Sequence, residues 1–184
     1  MSSHIINRQT TYTAHAFNVQ RVDIRLPDGR THPYDLVDHP AAVTIVPVDS
    51  QGNVWFVRQF RVGAEEELLE LPAGVLNPGE EPLTAAAREI REEIGQAAER
   101  LQQIGEFYMA AGYCNEFMYV FLATGLYPDP LKGDADEFIQ TESIPIQQVY
   151  ELAARRQLQD SKTLASLLLA LPHLTNPPPS KQDE

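Results

Sequence analysis

Alternating hydrophobic and polar positions occupy much of the chain, a pattern typical of strands with one buried face. Within residues 11–26 the stretch "VDIRL" alternates, and this whole segment is predicted to form one long strand. The turn "PDGR" at residues 27–30 would fold that strand back onto "THPYDLVDH". The hairpin signal "DSQGN" joins two of the further predicted strands. These lie at residues 42–48, 54–62, 102–109, 117–124 and 138–144, with a short one in "LLELPAG" that ends at Pro72.

A different spacing of apolar residues predicts three helices. Two lie near the end of the chain, at residues 147–154 and 161–171, and either Asp160 or Ser161 would cap the second. In the third, which begins near Pro82, four apolar residues recur at spacings of four, three and four, so we expect them to form one buried stripe. They are Leu83, Ala87, Ile90 and Ile94.

Strands and helices do not alternate regularly along the chain, which favours an α+β fold with a mixed sheet over a doubly wound one. Residues 1–40 are predicted to form an N-terminal antiparallel β region, and residues 173–184, "HLTNPPPSKQDE", a disordered tail. The stretch between them, residues 41–172, would form the main domain.

Composition narrows the possible partners and the compartment. The 26 acidic against 14 basic residues give a net charge of −12, which argues against a nucleic-acid polymer as partner. A single cysteine, Cys114, excludes an intrachain disulfide and fits a reducing cytoplasm. No apolar run is long enough to span a bilayer, and the N-terminus lacks the apolar core of a signal peptide. We therefore expect a cytoplasmic protein without a membrane partner.

The helix that begins near Pro82 is unusually acidic for a chain that already carries excess negative charge. Glu89 and Glu93 lie four residues apart beside the predicted buried stripe, where like charges repel. A divalent cation with oxygen ligands, Mg²⁺ or Mn²⁺, would remove this repulsion. The alternative is a solvated acidic face, which accounts for Glu92 and Arg91 but less well for the other two. Helix geometry alone leaves both interpretations open.

The whole segment "GVLNPGEEPLTAAAREIREEIGQ" (residues 74–96) resembles the Nudix box. In that motif a glycine is followed, at fixed spacings, by Glu, Arg-Glu, an aliphatic residue, Glu-Glu, and Gly before a final aliphatic residue. Gln96 departs from the final aliphatic position. The matching residues are Gly74, Glu80, Arg88, Glu89, Ile90, Glu92, Glu93 and Gly95. The resemblance implies an α/β/α sandwich around a mixed sheet.

Further stretches look like the ADP-ribose pyrophosphatase branch of the Nudix hydrolases, over roughly residues 40–170. They are "VRQFR", "ELPAG", "EFYMAAGYCNE" and "DADEFI". Ala110, Ala111 and Gly112 stand where that branch usually has Ser-Pro-Gly, and "YDLVD" lacks an arginine that the branch often carries. The resemblance implies hydrolysis of ADP-ribose to AMP and ribose 5-phosphate. A nucleoside diphosphate sugar hydrolase of ADP-glucose or GDP-mannose type, or a non-catalytic ligand sensor, is the alternative.

The resemblance also implies roles for individual residues. Glu89, Glu93 and the carbonyl of Ala73 would bind metal, and Glu92 would bind a further ion or a metal-bound water. Glu137 would be the general base, with Glu116 as a second candidate and Asp136 behind it.

Four more box residues are expected to have supporting roles. Arg88 would hold the box carboxylates, unless it forms only a surface ion pair. Glu80 would be its structural partner, and Gly74 would allow a tight turn before the box. Gly95 would cap the helix C-terminus.

Substrate binding needs cations in this acidic chain. Arg58 and Arg61 lie three residues apart on one predicted strand, so they should face opposite sides. The resemblance favours Arg61 for the substrate and makes Arg58 a structural or dimer-interface residue. An aromatic side chain of the N-terminal strands, from Tyr12, Phe17 or Tyr34, could stack on a base, although ordinary packing explains each of them. The resemblance further implies a homodimer built through residues 1–40.

Overall fold

The computed structural model describes residues 2–133 and 138–175. Within these ranges the chain forms, in order, β1 (His4–Thr13), β2 (Asn18–Arg25), β3 (Thr31–Asp38), β4 (Ala42–Val48), β5 (Asn53–Arg61), β6 (Glu66–Glu70), β7 (Ala73–Val75), α1 (Pro82–Glu93), β8 (Gln96–Tyr108), β9 (Phe117–Pro128), β10 (Gln140–Pro145), α2 (Ile146–Ala154) and α3 (Ser161–Thr175).

The larger of two sheets has the order β10-β5-β4-β9-β8, with β6 paired to β5 and β7 paired to β4. The pairing of β4 with β9 is parallel and the other pairings are antiparallel, so the sheet is mixed as predicted. Alternate residues of β4 serve two separate cores. Val43 and Ile45 pack with Ile90 of α1, whereas Val46 packs with Val149 of α2. Helices therefore cover both faces of the sheet, and the predicted α/β/α sandwich is confirmed.

Residues 4–38 form a separate three-stranded antiparallel sheet, β1-β2-β3. The prediction of one strand over residues 11–26 was wrong. β1 and β2 form a hairpin, in which the Ala14 N–H donates to the carbonyl of Phe17 at 2.9 Å. The turn contains no glycine or proline, so the sequence carries no strong signal for the reversal. Every residue of β1 is exposed.

Two other predicted strands changed their limits. β8 begins at Gln96, directly after the helix, because the whole segment 96–108 pairs with β9 despite its polar start. The stretch "LLELPAG" belongs to two strands, β6 and β7, which flank Pro72 and pair with different neighbours, β5 and β4.

Helix α1 starts with Pro82 in its first turn and is followed by Gly95 at a φ of 67°, as predicted. The predicted buried stripe was partly wrong. Ile90 and Ile94 are buried and Ala87 is half-buried, but Leu83 is 53% exposed. The small Ala85 and Ala86 are fully buried instead. Their size lets the helix lie close to the sheet, which moves the buried face away from Leu83.

Helix α3 is capped by Asp160, whose Oδ2 accepts hydrogen bonds from the backbone N–H (2.9 Å) and the hydroxyl (2.6 Å) of Thr163. Among the described residues, no helix is both long and apolar enough to cross a membrane.

Candidate active site

The approach of strand β7 to helix α1 defines the centre of the site. Gly74 lies in β7, and a Cβ atom built on it would overlap the carboxylate of Glu89. Its φ lies outside the left-handed region, so the predicted tight turn is not what requires glycine here. Glycine is needed because the carboxylate occupies the space of a side chain. Next to it, the backbone N–H of Ala73 donates to Glu93 Oε2 at 3.0 Å.

Arg88 joins three glutamates of the box. Its Nε and Nη2 donate to the two oxygens of Glu80 at 3.0 and 2.9 Å. Its Nη1 donates to Glu89 Oε1 at 2.6 Å and to Glu92 Oε2 at 2.9 Å. The guanidinium hydrogen bond lowers the pKa of Glu80 from 4.5 to about 2, and the same carboxylates raise the pKa of Arg88. Arg88 thus fixes the positions of Glu89 and Glu92, and Glu80 fixes Arg88.

The oxygen atoms of the box glutamates suit a hard divalent cation as ligands. Glu89 and Glu93 are 8% and 9% exposed on adjacent turns, and Glu92 lies at the rim. Carboxylate and peptide oxygens are the ligands that Mg²⁺ and Mn²⁺ prefer. Within the described ranges no three His, Cys, Asp or Glu side chains converge as ligands.

Arg61 lies between two adjoining cavities. One, of about 650 Å³, contains the box residues Arg88, Glu89 and Glu92. The other, of about 410 Å³, is lined by His39, Glu116 and Met118 among others. Arg61 and the β7 residues belong to the walls of both, so the two cavities form a continuous cleft beside the box.

The structure separates Arg61, the arginine favoured for the substrate, from Arg58. Arg58 Nη2 donates to Glu142 Oε1 at 2.6 Å and lines a different cavity, whereas Arg61 lies in the cleft. Their separation agrees with the expected strand geometry. Arg58 is not brought to the box.

Glu116, the second candidate for the base, lines the cleft, and its Oε1 lies 3.8 Å from His39 Nδ1. Asn115 holds this segment to the end of β3, because its Nδ2 donates to Asp38 Oδ1 (2.6 Å) and its Oδ1 accepts the backbone N–H of His39 (2.8 Å). Asp136 and Glu137 lie outside the described residues.

The N-terminal aromatic side chains take no part in the two cavity walls as far as the chain is described. Tyr12 and Phe17 are exposed. Tyr34 stacks edge-on against His32, with ring centroids 5.0 Å apart, in a groove that also contains Ala111.

A group of charged residues that the sequence analysis missed lines the cleft behind Arg61. Glu70 is 1% exposed and accepts hydrogen bonds from Arg61 Nε (2.8 Å) and Nη2 (2.7 Å). The Lys162 ammonium, on α3, also contacts Glu70 and lies 3.0 Å from Asp160 Oδ2. Hydrogen bonding to Glu70 raises the pKa of Arg61. The available signals were a glutamate inside the apolar stretch "LLELPAG" and a lysine beside a helix cap.

The sequence of this chain matches the model of one known protein family. The NUDIX domain family matches residues 38–167, most of the chain. The protein therefore belongs to the Nudix family, as the box predicted.

Individual relatives cover most of the chain. An ADP-ribose pyrophosphatase of Bacillus subtilis (strain 168) is 33% identical over 160 residues, 86% of each chain. An ADP-ribose pyrophosphatase of Mycobacterium tuberculosis is 34% identical over 168 residues, 89% of this chain and 80% of the relative. A GDP-mannose pyrophosphatase of Yersinia pestis is 32% identical over 67% of this chain and 66% of its own. The crystal structure of an ADP compounds hydrolase superposes with a TM-score of 0.84 at 28% identity, covering 95% of both chains.

Proposed function

We propose that this Nudix hydrolase cleaves the pyrophosphate bond of ADP-ribose, using Mg²⁺ or Mn²⁺, and releases AMP and ribose 5-phosphate. The observation that carries the proposal is the cleft whose walls contain Glu89, Glu92 and Arg61 together. Carboxylates supply the metal ligands and the arginine supplies a donor for phosphate oxygens. The relatives named ADP-ribose pyrophosphatase support the choice of substrate.

Nudix hydrolases generally need a divalent metal. In this chain Glu89, Glu93 and the carbonyl of Ala73 would hold it, with Glu92 beside them for a further ion or a bound water. A bound divalent cation neutralises phosphate charge and lowers the pKa of a bound water. The protein side chains would position the metal ligands. Arg88 contributes by donating hydrogen bonds from Nη1 to both Glu89 and Glu92.

The chemical step is the attack of water on one phosphorus atom, with cleavage of the bridging P–O bond. The water must lose a proton, and the box carboxylates are poor bases once they bind metal. We assign the general base to Glu137, with Glu116 as the alternative. Glu116 lies in the wall of the cleft, which keeps it in reach of a substrate there.

A second candidate substrate class is a nucleoside diphosphate sugar. Ala111 in place of the proline typical of the ADP-ribose branch favours it, as do the relatives named GDP-mannose pyrophosphatase. The two classes share the pyrophosphate and differ in base and sugar, so the box chemistry is the same for both.

The test is a turnover assay with Mg²⁺ on ADP-ribose, ADP-glucose, GDP-mannose, UDP-glucose, diadenosine polyphosphates and NADH, with products separated by chromatography. We expect ADP-ribose to have the highest kcat/KM, AMP as a product, and reversible loss of activity with excess chelator. Glu89→Gln and Glu93→Gln are expected to be nearly inactive yet folded. Full activity of either variant at saturating Mg²⁺ would refute the metal assignment, and tight binding without turnover would indicate a ligand sensor.

The N-terminal sheet is proposed to form a homodimer interface. All ten residues of β1 are exposed, including Ile5 and Ile6, which are 44% and 45% exposed. We further propose a cytoplasmic protein that acts on a small molecule and not on nucleic acid or membrane, since the net charge of −12 disfavours polyanions.

A further inference from the structure

Arg61 depends on a buried carboxylate that has a second cationic partner. Glu70 accepts two hydrogen bonds from Arg61 and a third from Lys162, whose side chain is 10% exposed. Arg61 remains 40% exposed and faces the cleft. Lys162 also forms part of the cleft wall but is largely buried, so of the two cations the arginine is the more accessible to a ligand.

A positive charge at the position of Lys162 is unfavourable for the stability of the helix itself. It lies in the first turn of α3, where the N-terminal end of the helix dipole disfavours a positive charge. Burying an ammonium group also costs free energy unless it is paired. Glu70 and Asp160 provide that pairing, and Asp160 is in turn held by the N–H and hydroxyl of Thr163.

The end of strand β6 is bound to the same helical turn by a second contact. The backbone N–H of Leu71 donates to Thr163 Oγ1 at 2.9 Å, immediately beside Glu70. Two contacts, one ionic and one neutral, therefore fix Glu70 against α3. A carboxylate held in this way keeps its two oxygen atoms in fixed positions, which orients the Arg61 guanidinium.

Charge balance explains what the second cation adds. If Arg61 were the only partner of Glu70, its charge would be largely committed to a buried anion. Lys162 adds a second positive charge, so that Glu70 and Asp160 are balanced by two cations. Without Lys162 the Arg61 guanidinium would face both carboxylates alone, and less of its charge would be available to an anionic group in the cleft. Bidentate pairing through Nε and Nη2 also leaves the Nη1 end of the fork outside the pair.

We propose that Lys162 is a positioning residue, which acts through Glu70 to hold Arg61 towards the phosphate groups of the substrate. The inference rests on the proposed pyrophosphatase function and assigns to α3 a role in substrate binding. Lys162 makes no contact with the reacting atoms in this proposal.

The experiment is a double-mutant cycle with ADP-ribose and saturating Mg²⁺ in the full-length protein. We expect Lys162→Met to raise KM roughly tenfold, the scale of one charge-assisted hydrogen bond, and to change kcat less than about threefold. Lys162→Arg should restore most of the loss, because it keeps the charge. In an Arg61→Ala background, Lys162→Met should have no further effect on KM. Arg155→Met, which removes an exposed cation on the chain segment after α2, is the matched control and should behave as wild type.

An unchanged KM in Lys162→Met, or an effect of equal size with and without Arg61, would overturn the proposal. The second outcome would mean that Lys162 binds substrate itself or acts only on the fold. Should Lys162→Met fail to fold, Lys162→Gln removes the charge but keeps a hydrogen-bond donor, and the same cycle with Arg61→Ala applies. If the wild type hydrolyses nothing in the panel, the proposed function fails. The inference then fails separately if wild type and Lys162→Met bind ADP-ribose equally.

Discussion

Arg88 shows how one residue can serve both the fold and the chemistry. Its guanidinium joins Glu80, which comes before the helix, to Glu89 and Glu92 within it. The carboxylates would repel one another without it, and their separation would then depend on solvent. The box spacing places this arginine where its fork can reach all three side chains.

Glu80 gives this arrangement a pH dependence. Its pKa is about 2 in the folded protein, against an ordinary value of 4.5, mainly because of the Arg88 hydrogen bond. A lowered pKa stabilises the fold above pH 4.5, and this contribution is lost as the pH falls from 4.5 towards 2. We expect Glu80→Gln to destabilise the protein by about 1 kcal/mol at pH 7. Urea unfolding of both proteins at several pH values should show the difference shrinking below pH 4.5, and a constant difference would contradict the assignment.

Gly74 permits a test of steric fit. A methyl group at this position would displace the Glu89 carboxylate, so we expect Gly74→Ala to lower kcat by at least about 10², since small misplacements of catalytic groups have costs of this size. Gly63→Ala is the matched control, because open space surrounds Gly63. Equal activity of the two variants would show that Glu89 can move without consequence.

The general base can be identified by comparing two carboxylates. Loss of a general base typically lowers the rate by about 10² to 10⁴. We expect Glu137→Gln to lower kcat by about 10² or more with little change in KM, and Glu116→Gln to retain most of kcat. Steady-state kinetics at saturating metal measures both. The reverse result would move the role to Glu116.

Among individual residues, the sequence predicted contacts between residues that are close along the chain. The pairing of Arg88 with Glu92, four residues apart, follows from helix geometry. The pairing of Glu70 with Lys162, 92 residues apart, depends on how α3 docks against β6. Nothing in the local pattern around either residue specifies that docking, so the pair cannot be predicted from the sequence.

Among the elements, helix α1 shows where periodicity is informative and where it is not. The apolar spacing predicted the helix and two buried residues, Ile90 within it and Ile94 at its C-cap. It could not show that Ala85 and Ala86, rather than Leu83, face the sheet, because the contact distance is set by β4 and β8. The hairpin of β1 and β2 was missed for a related reason, since its turn lacks a glycine or proline signal.

This correction has a thermodynamic consequence. Ile90 is fully buried, so Ile90→Ala should destabilise the protein by about 2–5 kcal/mol. Leu83→Ala removes a side chain that is 53% exposed and should change the stability by less than about 1 kcal/mol. Denaturant unfolding measures both. Similar losses of stability in the two variants would support the original prediction of a buried stripe that includes Leu83.

For the whole molecule, the exposed N-terminal sheet is the feature with the clearest consequence for assembly. A chain of 20.6 kDa should sediment as a dimer. Ile6→Asp on β1 should shift the equilibrium to monomer, because it places a charge in the proposed apolar contact. Tyr127→Asp alters a side chain of similar exposure on β9 and should leave the dimer intact. A monomeric wild type at micromolar concentration would exclude the proposed interface.

The parallel pairing of β4 with β9 also bears on how the chain reaches its fold. Ala42 lies opposite Met118, and α1 with the entire box is inserted between these two strands. During synthesis β4 and α1 leave the ribosome before β9 exists, so the helix has only part of its sheet to pack against. Closing so long a loop costs conformational entropy before the stabilising contacts between β4 and β9 can form. Refolding on the millisecond-to-second scale is therefore expected.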